Sequence, residues 1–217
     1  KRDETCNGLA KKSESLDEMV NGIVKKEIRT NAGEDYFYTN VGLVIAARVV
    51  ELIGKKGFEQ LIAQRVLKPL GMKNTTFSPQ GGGCANPAEG AFGTANDMMN
   101  FFSMVLNKGM FNGKQIVSEA SLKLMQTVQV TPNMVTYIPK EGETYEQGLG
   151  MFVMEKDING NAAIVGAPNF NGLWAVIDLC KGYGLLILPE KDLSDARKQV
   201  FNKVRENIDE QITGSCK

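Results

Sequence analysis

The sequence predicts an α+β fold, a run of helices followed by an antiparallel meander and a closing helix. Three observations carry that expectation. Apolar residues recur at helical spacing up to about residue 131, and after Pro132 the pattern turns alternating or continuously apolar. A last helical stripe, Val200, Phe201, Val204 and Ile208, then supplies a cover for the strands. The expected organisation is therefore a mainly helical region, 1–131, and a region of antiparallel strands plus a C-terminal helix, 132–217, both parts of one fold.

Taken in order, Ser15-Leu16-Asp17-Glu18 reads as a capping box, and Leu16, Met19, Val20, Ile23 and Val24 give a helix running to about Arg29. A turn at Asn31-Ala32-Gly33 ends it. The next helix starts near Asn40 and is expected to stop at Gly54 as a left-handed cap. Being apolar nearly all round, it is expected to be buried. Phe58, Leu61, Ile62 and Val66 mark a third helix, closed by Lys68-Pro69. Beyond a loop from Ser78 to Gly93, Thr94 and Asp97 cap a helix ending at Gly109, and Ser118 caps another carrying Leu122 and Met125. Strands are predicted over 149–154, 162–165, 173–178 and 185–188, with Asn159-Gly160 as a tight hairpin turn. Ser194 opens the final helix.

At 217 residues the chain can bury a proper core. Its formal charge is zero, so no basic field exists to hold nucleic acid. The apolar stretch of 41–50 is interrupted by Arg48 and too short to span a bilayer. Lys1-Arg2-Asp3-Glu4 is no signal peptide, so the chain is expected to be cytosolic or to have lost a leader. Cys6, Cys84, Cys180 and Cys216 are too scattered for a disulfide framework or a zinc site, and their pairing is left open. There is no histidine, which rules out a histidine triad or a histidine-ligated metal within this sequence. No cofactor and no metal are expected.

Tyr38-Thr39-Asn40 stands directly before the second helix. A helix start needs one capping side chain, and Thr39 or Asn40 would serve. Tyr38 is surplus to that, and a phenol beside an amide could move a proton and orient a substrate. Other features have plainer readings. Gly81-Gly82-Gly83 lacks the strand and the Lys-Ser/Thr of a phosphate loop, and Asp97, which with Glu89 could suggest paired carboxylates, is assigned to helix capping. Trp174, Met98 and Met104 are assigned to the core.

Tyr38-Thr39-Asn40, LKPLGMKNTTF at 67–77 and NPAEGAFGTANDMMNF at 86–101, in this order, resemble the serine β-lactamase and penicillin-binding protein superfamily in its class C and esterase-like branch. The resemblance implies a β-lactamase/transpeptidase-like fold, with Tyr38 as a catalytic proton shuttle and Asn40 as a hydrogen-bonding partner of a substrate amide. It also sets Ala167-Pro168-Asn169 over the box where the family carries a cation, making Asn169 a polar contact and Phe170 a backbone donor to an oxyanion hole. No serine here begins a Ser-x-x-Lys box, which the resemblance places upstream of Lys1. The expectation is thus a carboxy-terminal portion of a serine hydrolase, inactive by itself, acting when whole on an amide or ester of a small molecule or peptide. The alternative is a non-catalytic relative that keeps the fold to bind. Association with the missing amino-terminal segment or with another chain is expected, as is a periplasmic or secreted location.

Overall fold

The computed structural model describes residues 15–28, 30–78, 85–167, 173–188, 195–214 and 216, with the backbone alone at 195–198. Contacts divide these into two compact units. One takes in the residues up to Glu34 and Tyr38–Asn100, the other Asp35–Phe37 and the residues from Phe101 onward.

In the first unit, α1 spans Leu16–Ile23, and Ser15 Oγ accepts the Glu18 N–H at 3.3 Å. It stops well before Arg29. Val24 and Ile28 are exposed, so no burial holds a further turn against the entropy of ordering it. Helix α2, Val41–Gly54, packs Val44 and Ala47 against Leu16 and Met19. Its burial is one-sided, contrary to the expectation from its composition. Leu43, Val49, Val50, Leu52 and Ile53 are exposed, Ile53 at 79%, because the described neighbours cover a single stripe of the helix. The left-handed residue is also shifted by one, falling on Lys55 with φ 50°. Gly54 serves a different need, since a Cβ there would stand 2.6 Å from Leu61 Cδ1.

Helix α3, Phe58–Ile62, runs into a π-helical turn over Ala63–Leu67, where the Lys68 N–H reaches the Ala63 carbonyl at 2.9 Å. Two carboxylates then tie down the segment after it. Glu59 accepts from the Thr76 hydroxyl at 2.7 Å and the Phe77 N–H at 2.9 Å. Asp97, on α4 (Ala95–Leu106), accepts from the Asn74 N–H and the Thr75 hydroxyl, both at 2.8 Å. The cap itself is Thr94 Oγ1, which accepts the Asp97 N–H at 3.3 Å. Asp97 thus spends its buried carboxylate on a distant loop, where it is worth more than at a solvated helix end.

In the second unit, β2 (Met110–Phe111) and β3 (Lys114–Gln115) form a hairpin around Asn112 and Gly113, both at positive φ. This is the two-residue Asn-Gly turn. The predicted one at Asn159-Gly160 is instead part of a longer loop between Lys156 and Ala162. Asp157 Oδ1 accepts the N–H groups of Asn159 and Asn161, and this local bonding displaces the tight turn. Helix α5 is Glu119–Gln126, capped by Ser118, whose Oγ accepts the Ser121 N–H at 3.0 Å. Strand β1 (Tyr36–Phe37) pairs in parallel with β4 (Val135–Tyr137), stacking Phe37 on Tyr137 with ring centroids 4.7 Å apart.

The main sheet has the order β5-β6-β7-β8-β9, antiparallel throughout, from Glu146–Gln147, Phe152–Lys156, Ala162–Ala167, Trp174–Asp178 and Tyr183–Ile187. All five residues of β8 are buried. Trp174 and Val176 face Phe201 of α6 (Asp195–Gln211), with Ile164 alongside. The other face meets α4, where a Cβ on Gly184 would lie 2.7 Å from the Phe102 ring. Phe201 is the one buried side chain among those described on α6, contributing about 1.5–3 kcal/mol. Among the described residues, no helix is long and apolar enough to cross a membrane.

Asp97→Ala is expected to destabilise the fold by about 2–3 kcal/mol, since it strands two donors at a buried carboxylate site. Asp97→Asn, which keeps one acceptor oxygen, should cost less. A urea midpoint unchanged by Asp97→Ala would show that the Asn74 and Thr75 bonds carry no stability.

Candidate functional site

Two donors at the start of α2 set the local problem. Thr39 Oγ1 accepts the Val41 N–H at 3.4 Å, a long bond of the local threonine-turn kind. Asn40 contributes its carbonyl to the first helical bond, from the Val44 N–H at 3.1 Å, but its side chain makes no capping bond. The amide is committed elsewhere. Asn40 Nδ2 donates to Glu89 Oε1 at 2.6 Å.

Glu89 is held by the chain that carries it. Asn86 Oδ1 accepts the N–H groups of Ala88 at 3.0 Å and Glu89 at 3.1 Å, and the Gly90 N–H closes the turn on the Asn86 carbonyl at 2.9 Å. A Cβ at Gly90 would come within 2.6 Å of that carbonyl, so the turn requires glycine. NPAEG, residues 86–90, is therefore a compact device for presenting one carboxylate.

That carboxylate acts on Tyr38 as well. Half-burial of the Tyr38 phenol raises its pKa above the ordinary value, and the negative charge of Glu89 raises it further. The consequence has a definite sign. At neutral pH Tyr38 is protonated and can give a proton or donate a hydrogen bond, while acting as a base would require a cation to pull its pKa down.

Of the residues expected from sequence, Tyr38 and Asn40 lie in the first unit, joined through Glu89. Asn169 and Phe170 fall outside the described residues. The strand leading to them, β7, ends at Ala167, which pairs with Ala175 and brings no charge. Glu89 as the partner of Asn40 was not anticipated. The Asn86 turn was a readable signal for a fixed carboxylate, but its contact with a residue 49 positions away was not.

The Beta-lactamase family profile matches residues 2–205. The chain belongs to this family. It is a β-lactamase-like serine hydrolase relative by descent, and its mixed architecture agrees with solved members. A candidate beta-lactamase from Bacteroides dorei superposes with a TM-score of 0.71 at 25% identity, over 84% of this chain and 59% of that one. A beta-lactamase from Mycobacterium bovis gives 0.67 at 21% identity, over 82% of this chain and 65% of that one. The D-alanyl-D-alanine-carboxypeptidase/endopeptidase AmpH of Escherichia coli K12 is 23% identical over 146 residues, covering 59% of this chain and 37% of that protein. The matched part of the chain thus spans less than two thirds of each of these family relatives.

Glu89→Gln tests the electrostatics. The glutamine keeps an oxygen for Asn40 and removes the charge, so the Tyr38 pKa should fall while staying above the free value because burial remains. Tyrosine ring-carbon NMR titration reads this residue by residue. An unmoved Tyr38 titration would dismiss Glu89 as a source of the field.

Proposed function

We propose that this chain carries the proton-donating and substrate-orienting half of an acyl-transfer site, and that the whole protein hydrolyses an amide or ester through an acyl-enzyme. The observation that carries this reading is the Asn40 side chain, withdrawn from helix capping and fixed by Glu89 beside a protonated Tyr38. The nucleophile is a serine of a Ser-x-x-Lys box, which these 217 residues do not contain. In the reaction, the serine oxygen bonds to the substrate carbonyl carbon as its proton passes to the neutral lysine amine of the same box. As the scissile bond breaks, Tyr38 passes its proton to the departing nitrogen or oxygen and is reprotonated from that lysine. Asn40 orients the substrate amide, and water then releases the acyl group as a carboxylate. Asn169 and the Phe170 N–H are proposed as the contacts to the carbonyl oxygen. The substrate class is a small molecule or peptide bearing an amide or ester.

A second reading, a non-catalytic relative that binds without turnover, is favoured by one specific feature. Ala167 stands where the family resemblance expects a cation, and the described influences on Tyr38, burial and Glu89, both raise its pKa. The two readings part in an extended form of the protein that includes any upstream Ser-x-x-Lys box. Catalysis requires turnover in that form, and Tyr38→Phe should then cut it about 100-fold or more while leaving the melting temperature nearly unchanged. Turnover retained with a marked loss of stability would make Tyr38 a packing residue. The 217-residue chain alone should form no covalent adduct with a fluorescent penicillin. A stoichiometric acyl adduct on any of its serines would overturn the assignment of the nucleophile.

Cover for the apolar surface is proposed as well. The exposed face of α2, and β9, which among the described residues pairs only with β8, both favour association with further sequence of the protein or with another chain. The isolated chain should therefore self-associate in light scattering. A stable monomer with cooperative unfolding would show that neither surface needs a cover.

A further inference from the structure

Helix α6 covers one face of the main sheet with unequal holds along its length. Its first half is anchored by Phe201 against Trp174, ring centroids 5.5 Å apart. Its second half has no fully buried side chain. Val204 and Ile208 are only partly buried there, and the remaining hold is polar. Asp209 accepts from the Tyr183 hydroxyl at 2.8 Å and pairs with Lys181 at 3.1 Å, and Arg205 reaches Glu155 and, at 3.6 Å, Asp209. Burial disfavours the Asp209 charge, but Tyr183, Lys181 and Arg205 outweigh it and keep the carboxyl below the usual range. Partly solvated pairs of this kind are individually weak.

A covalent bond ends the same stretch. Cys180 and Cys216 form a disulfide, with Cα atoms 4.4 Å apart and a sequence separation of 36 positions. The turn presenting Cys180 is fixed without the tail, because buried Asp178 accepts the N–H groups of Cys180 at 2.9 Å and Lys181 at 2.7 Å. The tail reaches this turn closely. A Cβ on Gly214 would lie 2.8 Å from Lys181 Cα, so the approach requires glycine two residues before Cys216. A prebuilt turn, a glycine-dependent contact and a cysteine on each side thus converge at one place.

We infer that Cys180–Cys216 is a redox-dependent latch that fastens the second half of α6 to the β8–β9 turn, so that this cover of the sheet is completed only in an oxidising compartment. Closure transfers two electrons and two protons from the two thiols to a disulfide-donating oxidant, which leaves as its dithiol. Opening is the reverse exchange, in which a dithiol reductant attacks one sulfur, passes through a mixed disulfide and departs oxidised. Both cysteines are partly exposed, which gives such a reagent access. The latch concerns the fold of the second unit and stands whether or not the proposed hydrolysis does.

The test uses the full chain, oxidised or treated with dithiothreitol, read by peptide mapping, hydrogen exchange and thermal unfolding. The unreduced digest should contain the Cys180 and Cys216 peptides as one linked species. Reduction should raise amide exchange at 204–212 by about tenfold or more, with less change at 199–203 near the Phe201 anchor. It should also lower the melting temperature by roughly 5–10 °C. Cys180→Ser and Cys216→Ser should each reproduce the reduced behaviour and lose sensitivity to dithiothreitol, whereas Arg205→Ala should change exchange less than about threefold. If a serine variant fails to fold, the reduced natural chain gives the same reading. Free thiols at both positions in the unreduced protein, linkage of either to Cys6 or Cys84, or exchange and melting indifferent to reduction would each overturn the inference.

Discussion

Burial of β8 on both faces is the constraint on which the second unit depends. A strand whose five residues are all buried cannot lie at a solvated surface, so each face of the sheet must be covered by a separate element. Helix α4 brings Phe102 to one side, and α6 brings Phe201 to the other. Gly184 and the alternation of Trp174 and Val176 with Ala175 and Ile177 follow from that double cover. So does the need for α6 to stay in place along a length that its own apolar side chains do not secure.

The two units meet that need for cohesion by different means. In the first, two carboxylates do what a larger apolar core would do elsewhere. Glu59 and Asp97 each gather donors from the segment around residues 74–77, and Asp97 does so while nearly inaccessible to water. Bonds of this kind are strong because one partner is charged, and each broken one leaves a desolvated group behind. In the second, apolar burial holds the sheet, and polar contacts plus a disulfide hold the far end of its helix.

The chemistry proposed for the start of α2 rests on a sign. Burial of the Tyr38 phenol, and the Glu89 carboxylate beside it, make that phenol a weaker acid, so at neutral pH it carries a proton to donate. The same carboxylate holds the Asn40 amide. One residue, Glu89, therefore adds to the burial that raises the pKa of the phenol and also holds the neighbouring amide. Membership of the Beta-lactamase family gives the proposed pair a chemical context.

The sequence by itself determined what depends on near neighbours. The order of helices and strands, the caps at Ser15 and Ser118, and the apolar stripe around Phe201 could be read because periodicity and capping act over a few residues. The ordered motifs around Tyr38, Leu67 and Asn86 were enough to indicate the family. Tertiary structure decided whatever required a partner far along the chain. Composition could not show that α2 is covered on one stripe only, because exposure belongs to the neighbours and not to the helix. Two Asn-Gly pairs look alike in sequence, yet only that at 112–113 is a two-residue turn, since Asp157 takes the N–H groups at the other. The contact of Asn40 with Glu89 and the pairing of Cys180 with Cys216 bring together residues 49 and 36 positions apart, respectively. No local propensity encodes such meetings. They exist because the packed elements leave those side chains facing each other.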